Sequence, residues 1–418
     1  MKEIGYILSK SKKIDWIDVA AGLDGNWIGV GMHASPMYMP PGSMVPFAAA
    51  IREVVDVPVL TANRITDPLL AESILSKGHA DLIGMTRAII ADPELPNKSR
   101  LGKFDDIRYC VGINESCVGG LVGSGPQGKG ITCSQNPVIG MEKEWAEIQI
   151  AQVPKKVMII GGGPAGLEAA RVAALRGHSI FLYEKTSQLG GQINLAEKIS
   201  GREELNQITR WLGYQVDKLN ISLNLNHEVT PEYLIQQAAD VVIIATGAIP
   251  FRPDISGCDE KNLVHIWDAL TNPAEIGERV VVLDRKRHMA AAGTADTLAE
   301  KGKQVYVMAS SYVVAENVDN RTKPLLYRRL LNNKVTLMPL TWIKSMEKKR
   351  VIAVNILTEE ESFIEDIDTV VFEDSKANDW LYKQVEGHIK EIYTIGDCVT
   401  PRLIEHAIYE GGKIAREI

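Results

Sequence analysis

Two stretches of this 418-residue chain hold residues whose types and spacing could do chemistry. One is the loop GGGPAG, where Gly161, Gly163 and Gly166 fit the spacing G-x-G-x-x-G around Pro164 and Ala165. In such a loop the first glycine permits a tight turn and the second lets a pyrophosphate approach the backbone. The third lets helix and strand pack closely. The free N–H groups and dipole of the following helix then hold the phosphates. Glu184, closing the next apolar run, is placed to hydrogen-bond a ribose hydroxyl. The pattern predicts an adenine nucleotide or dinucleotide site. The other stretch holds Cys110, Cys117 and Cys133, three of the chain's five cysteines, with dense glycine between them. Such crowding suits a metal centre or a loop of free thiols. Zinc is disfavoured, because the gaps are not those of a zinc site and no histidine lies inside.

The elements that must position the glycine loop follow from apolar runs. Residues 157–160 read as a buried parallel strand, 179–183 as a second and 240–247 (DVVIIATG) as a third. A second unit of the same kind spans 279–308, with strand, helix and strand. Its loop reads DRKRHMAAAG, with no glycine before Gly293. Arg285, Lys286 and Arg287 stand where a pyrophosphate would need bare backbone, so tight NADH or NADPH binding is not expected there.

Toward the N-terminus, strands are expected at 14–19, 57–62 and 81–85, with helices at 47–54 and 68–76 and a loop at 20–44. Alternating strand and helix predict a parallel sheet. Arg64 and Arg87 follow two consecutive strands, the place where a (β/α)8 barrel holds phosphate groups; surface ion pairs are the alternative. A 45% hydrophobic and 24% charged composition is that of a soluble globular chain. A net charge of −7 without a basic run argues against nucleic acid. No apolar stretch approaches the ~18 residues a membrane span needs. The N-terminus lacks a signal peptide's apolar core, so a cytoplasmic location is expected.

The run ITDPLLAESILSKGHADLIGMTRAIIADPELPNK, the cysteine segment and GGGPAG, in that order, resemble the Old Yellow Enzyme-like NADH:flavin oxidoreductases. The resemblance is to their long iron–sulfur members: 2,4-dienoyl-CoA reductase, trimethylamine dehydrogenase and N-methyl amino acid demethylases. It implies an α/β chain: the C-terminal part of a (β/α)8 FMN barrel at 1–105 and a cysteine segment at 106–150. Two Rossmann-like domains would follow, an FAD- or ADP-binding one at 151–275 and 385–418 and a degenerate NAD(P)-like one at 276–384. About five further βα units precede this point in the family, so the resemblance implies a preceding segment or another chain that completes the barrel.

Site residues follow from the same resemblance. Arg64 and Arg87, with the backbone of Asn63, Gly84 and Thr86, correspond to the FMN phosphate site. Cys110, Cys117 and Cys133 match the first, third and fourth ligands of a cluster, and Ile113 stands at the second. Three thiolates imply a [3Fe–4S] cluster, or a [4Fe–4S] cluster with one iron otherwise bound. Gly190, Gly191 and Gln192 resemble the flavin-side loop, and Ala245, Thr246 and Gly247 the turn beside the pyrophosphate. Gly396 and Asp397 would end a strand, with Asp397 on the ribityl chain. The expected activity is amine dehydrogenation or N-demethylation of a small molecule, with electrons passing from FMN through the cluster to a protein acceptor. An NAD(P)H-dependent enoate reductase and an inactive nucleotide-binding fragment are the alternatives, and homo-oligomers are expected in such a family.

Overall fold

The computed structural model describes residues 1–22, 26–121, 130–259 and 261–418. The glycine-dense run 122–129, between the second and third cysteines, lies outside them. The chain divides into two compact units, Met1–Ile139 with Asp319–Leu325, and Gly140–Val318 with Leu326–Ile418.

The first unit is built on a three-stranded parallel sheet in the order Ile17–Val19, Val59–Ala62, Leu82–Gly84. Val19, Val59, Ala48 and Ile51 form one apolar cluster between this sheet and the helix Val45–Arg52. The helix Pro68–Ser76 starts where the Asp67 carboxylate accepts the Leu69 N–H and Pro68 supplies a preset φ. The expected loop at 20–44 contains a helix, Trp27–His33, because the Asn26 side chain accepts the N–H groups of Ile28 and Gly29. Cys110, Cys117 and Cys133 belong to this same unit, whereas residues 140–150 of the expected cysteine segment fall in the second.

The second unit holds two five-stranded parallel sheets. One runs Ile392–Thr394, Val241–Ile244, Lys156–Ile160, Ser179–Tyr183, Ser222–Asn224. The other runs Leu263–His265, Thr369–Phe372, Arg279–Asp284, Gln304–Ala309, Thr336–Met338. Their central strands are fully buried, which is why they read as unbroken apolar runs. Two expectations need correction. Leu263–His265 pairs with Thr369–Phe372, so it belongs to the second sheet although it lies before residue 276. Gly396 and Asp397 do not end a strand: the strand stops at Thr394, and Gly396–Cys398 form a 3-10 turn with Gly396 at φ +71°. No helix among the described residues is long and apolar enough to cross a membrane.

Candidate functional site

The glycine loop leaves Lys156–Ile160 and turns into the helix Pro164–Leu175, with Gly163 as its N-cap. Two of its glycines are demanded by the protein itself. Gly161 has φ +118°, and a Cβ there would lie 2.2 Å from the Ala245 carbonyl oxygen. A Cβ at Gly166 would lie 2.0 Å from the Gly161 oxygen. Gly163 is different. Its φ is −79°, open to any residue, and a Cβ there would meet no atom within 4 Å. Bare backbone at the head of a helix, facing open space, fits a phosphate group.

Around Gly163 the chain gathers the other nucleotide-site candidates. A Cβ on Gly191 would lie 3.2 Å from the Gly163 Cα, and one on Gly247 would lie 3.9 Å from Gln192 Nε2. Gln192 Nε2 donates to Asp397 Oδ2 at 3.0 Å, and the Arg402 N–H donates to Asp397 Oδ1 at 3.0 Å. Burial pushes the Asp397 carboxyl above its usual range, while these donors and the charges of Lys286 and Arg402 hold it down. Thr246 Oγ1 donates to the Asn378 carbonyl at 2.6 Å and so fixes the turn at Ala245–Gly247. Gly190 donates its N–H to the Gly162 carbonyl. The Glu184 carboxylate accepts the Gly162 N–H, the Thr186 N–H and the Thr186 hydroxyl, each at 2.8 Å. A carboxylate has about four lone-pair sites, so these bonds orient Glu184 and leave capacity for one ribose hydroxyl. The helix Ile404–Glu417 packs tightly here, for a Cβ on Gly411 would lie 2.3 Å from the Ala165 oxygen.

In the first unit, Asn63 and Arg64 follow the strand Val59–Ala62 with φ of +79° and +56°. Two consecutive non-glycine residues in that region mark a strained turn of the sort found at ligand sites. Arg87 lies in the helix Thr86–Ala91, which follows Leu82–Gly84, and donates to the Ser35 carbonyl (2.9 Å), Asn114 Oδ1 (2.6 Å) and Asn63 Oδ1 (3.1 Å). Those bonds use three of the five guanidinium N–H groups. Arg64 is 3% exposed, donates from Nε to the Met39 carbonyl, and has Gly112 against its Nη1. Both arginines therefore tie the strand ends to the cysteine segment, a role that strand counting did not reveal.

The three cysteines share one neighbourhood. Burial raises the Cys117 thiol and pushes Cys133 up to about 11, and the charge of Cys110 raises both. Arg87 acts in the opposite sense on Cys117, and Arg108 on Cys133. The Gln135 N–H points at Cys133 Sγ at 3.5 Å. Buried hydroxyls of Ser116 and Ser134, 2.7 Å apart, clip the residues beside Cys117 and Cys133 together. Ile113 is 5% exposed. Among the described residues no three of His, Cys, Asp or Glu gather closely enough for a single metal ion.

The loop of the second sheet differs in kind. Past Arg279–Asp284 it runs through Arg285, Lys286 and Arg287 to His288, the N-cap of the helix Met289–Glu300. The N–H groups of Arg285 and Lys286 donate to one oxygen of Glu373, which is 1% exposed. Nothing in the local pattern singled out Glu373; the only signal was an acid pair, Glu373 and Asp374, closing a buried apolar strand.

Comparison with known proteins matches residues 155–374 to the pyridine nucleotide-disulphide oxidoreductase family. Residues 32–105 match the NADH:flavin oxidoreductase / NADH oxidase family. The chain is 32% identical to an N,N-dimethylglycine/sarcosine dehydrogenase of Chromohalobacter salexigens, covering 100% of this chain and 66% of the relative. It is 30% identical to a metal reductase of Desulforamulus reducens, covering 94% and 62%. The solved structure of a 2-naphthoyl-CoA reductase in complex with 2-naphthoyl-CoA superposes with a TM-score of 0.91 at 30% identity, over 100% of this chain and 62% of that one. The chain thus spans slightly under two thirds of the length of these relatives.

Proposed function

Because the chain belongs to the pyridine nucleotide-disulphide oxidoreductase family over more than half its length, joined to an NADH:flavin oxidoreductase segment, we propose that it is a flavin- and iron–sulfur-dependent oxidoreductase. Its reaction is the dehydrogenation or N-demethylation of a small amine. The observation that carries this reading is the joint presence of two sites: an open-fronted glycine loop at Gly163, and three neighbouring thiols in a segment whose Gly112 and Asn114 meet Arg64 and Arg87. Bound flavin and cluster would supply the electron transfer, and the protein sets their distance and potential.

In this reading Gly161, Gly163 and the head of Pro164–Leu175 hold the pyrophosphate of FAD or ADP. Glu184 orients its ribose, and Gln192 fixes Asp397 against the flavin side. The amides of Asn63, Gly84 and Thr86 hold an FMN phosphate, with Arg87 neutralising it and holding Asn114 in place. Cys110, Cys117 and Cys133 bind the cluster, and electrons leave to a protein acceptor. The chain acts inside the cell, completed by further βα units. The likeness to the naphthoyl-CoA reductase favours a second reading, an NAD(P)H-dependent reductase of enoate type. The loop 285–288 opposes it, since bulky side chains and an internal acid fill the nucleotide's place.

Spectroscopy under anaerobic conditions tests the choice. Purified protein is expected to show flavin bands with a broad iron–sulfur shoulder, bleached by N-methylated amines and not by NADPH. Bleaching by NADPH would transfer the protein to the reductase class. A spectrum with neither flavin nor cluster, after reconstitution with both, would leave a nucleotide-binding fragment.

A further inference from the structure

We propose that the second dinucleotide unit is an anion site closed from within: the Glu373 carboxylate occupies the amide pair of Arg285 and Lys286 in the turn between the strand Arg279–Asp284 and the helix Met289–Glu300, the turn in which a glycine-loop unit holds a pyrophosphate. The unit keeps the fold of a nicotinamide-nucleotide domain and takes its own side chain as the ligand.

The correspondence of place comes from the two sheets. In the first dinucleotide unit, Ile160 pairs with Ile244, and the next residues, Gly161 and Ala245, lie against each other at the turn. In the second dinucleotide unit, Val282 pairs with Val371, and two residues further along each chain stand Asp284, the last of its strand, and Glu373, just past the end of its own. A small residue thus faces the glycine turn in one unit, and a glutamate faces the basic turn in the other. The glutamate reaches across the strand end, and its Oε1 accepts the Arg285 N–H at 2.8 Å as well as that of Lys286. Two successive N–H groups converging on one carboxylate oxygen are the geometry by which such turns hold phosphate.

Two further observations identify the carboxylate as an internal ligand rather than an incidental contact. The other oxygen, Oε2, is buried without a hydrogen-bond partner among the described residues, so the group has left water for this one interaction. Burial, reinforced by the charge of Asp284, pushes Glu373 up to about 7, against the pull of the Lys286 and Arg285 amides and the Lys286 charge. Asp284 is itself 0% exposed and accepts the Ala315 N–H at 2.6 Å. A phosphate entering this turn would meet two acids and no bare backbone. Lys286 is drawn off as well, its Nζ donating to Ser375 Oγ at 2.7 Å.

The test is calorimetric titration of inorganic pyrophosphate and of NADPH into the full chain, with the first site saturated by ADP beforehand. Wild-type protein is expected to give no saturable binding with either. Glu373→Ala frees both amides and should gain a saturable pyrophosphate site, at least roughly tenfold tighter than any wild-type binding, because an internal competitor lowers apparent affinity by the fraction of time the site is open. A folded Glu373→Ala protein with wild-type behaviour would overturn the proposal. Should that variant fail to fold, hydrogen exchange on the wild type decides. The amides of Arg285 and Lys286 should exchange slowly and unchanged by saturating NADPH; fast exchange, or added protection from NADPH, would contradict an internal plug.

Discussion

The two dinucleotide units of the second compact unit share the order of four of their five strands and differ at the turn that gives such units their ligand. In one, Lys156–Ile160 ends in glycines and Gly163 faces open space. In the other, Arg279–Asp284 ends in an acid, three basic residues follow, and Glu373 closes the amides. Both sets of central strands are buried equally, Val157–Ile159 and Val280–Leu283 all at 0% exposure. Strand ladders and apolar burial are alike in the two sheets, so neither depends on the residues of the turn. Fold and ligand are separable here, and each variant below separates them.

The largest effect is expected from Gly163→Val. Its Cβ would meet no protein atom within 4 Å, so the fold should stand while the pyrophosphate is displaced; nucleotide affinity should fall by roughly 100-fold. Equilibrium dialysis with FAD and ADP checks this, and full retention would show the site misassigned. Gly161→Ala should act the other way round, on stability first. A Cβ at φ +118°, 2.2 Å from the Ala245 oxygen, should cost about 1–3 kcal/mol or more, read from urea denaturation without nucleotide. An unchanged midpoint would break the distinction between the two glycines.

The second unit has a pH signature. An acid whose folded value is raised holds its proton to higher pH than in the unfolded chain. Its contribution is therefore full below the ordinary carboxylate range and is lost as pH climbs through the folded value. Asp284, raised to about 6, and Glu373, raised to about 7, both act in this sense. Between pH 6 and 7 the decline belongs mainly to Glu373, at no more than about 1.4 kcal/mol per pH unit. Glu373→Gln should flatten the stability profile in that interval, and an identical slope would show the group already ionised.

The smallest effect is expected in the cysteine segment, where scaffold and ligand also part company. Ile113, set by the proposed reading at the second ligand's position, is buried, and the Arg87–Asn114 bond holds the adjoining turn. Ile113→Cys should raise iron per chain and slow its loss in air, because a fourth thiolate shields the exposed iron. Iron and sulfide analysis with electron paramagnetic resonance reads the change. Anaerobically reconstituted wild-type protein without iron, unaltered by Cys110→Ala, would mark the cysteines as vestigial.

What could be read along the chain was what local pattern controls. The Asp67–Pro68 signal sets the helix Pro68–Ser76, and the apolar run Ser179–Tyr183 is a strand end to end. Asn26 carried a cap signal for Trp27–His33 that the surrounding Gly, Met and Pro obscured. Other features depend on distant partners. Leu263–His265 is a strand only because Thr369–Phe372 offers it an edge. Glu373 meets the amides of residues 88 and 87 positions away, and Asn114 meets the Ala34 carbonyl 80 positions away. No periodicity encodes such pairs, since a single residue type at a strand end is compatible with many neighbours.

The contrast between the units is tested most directly by counting nucleotides. Protein purified without oxygen, saturated with FAD or ADP and with NADPH together, then gel-filtered and denatured, releases whatever it holds. The expected result is one adenine nucleotide per chain from the first site, lost in Gly163→Val, and no NADPH. NADPH retained in a one-to-one ratio, or a nucleotide that survives Gly163→Val, would contradict the division of an open first site from a closed second.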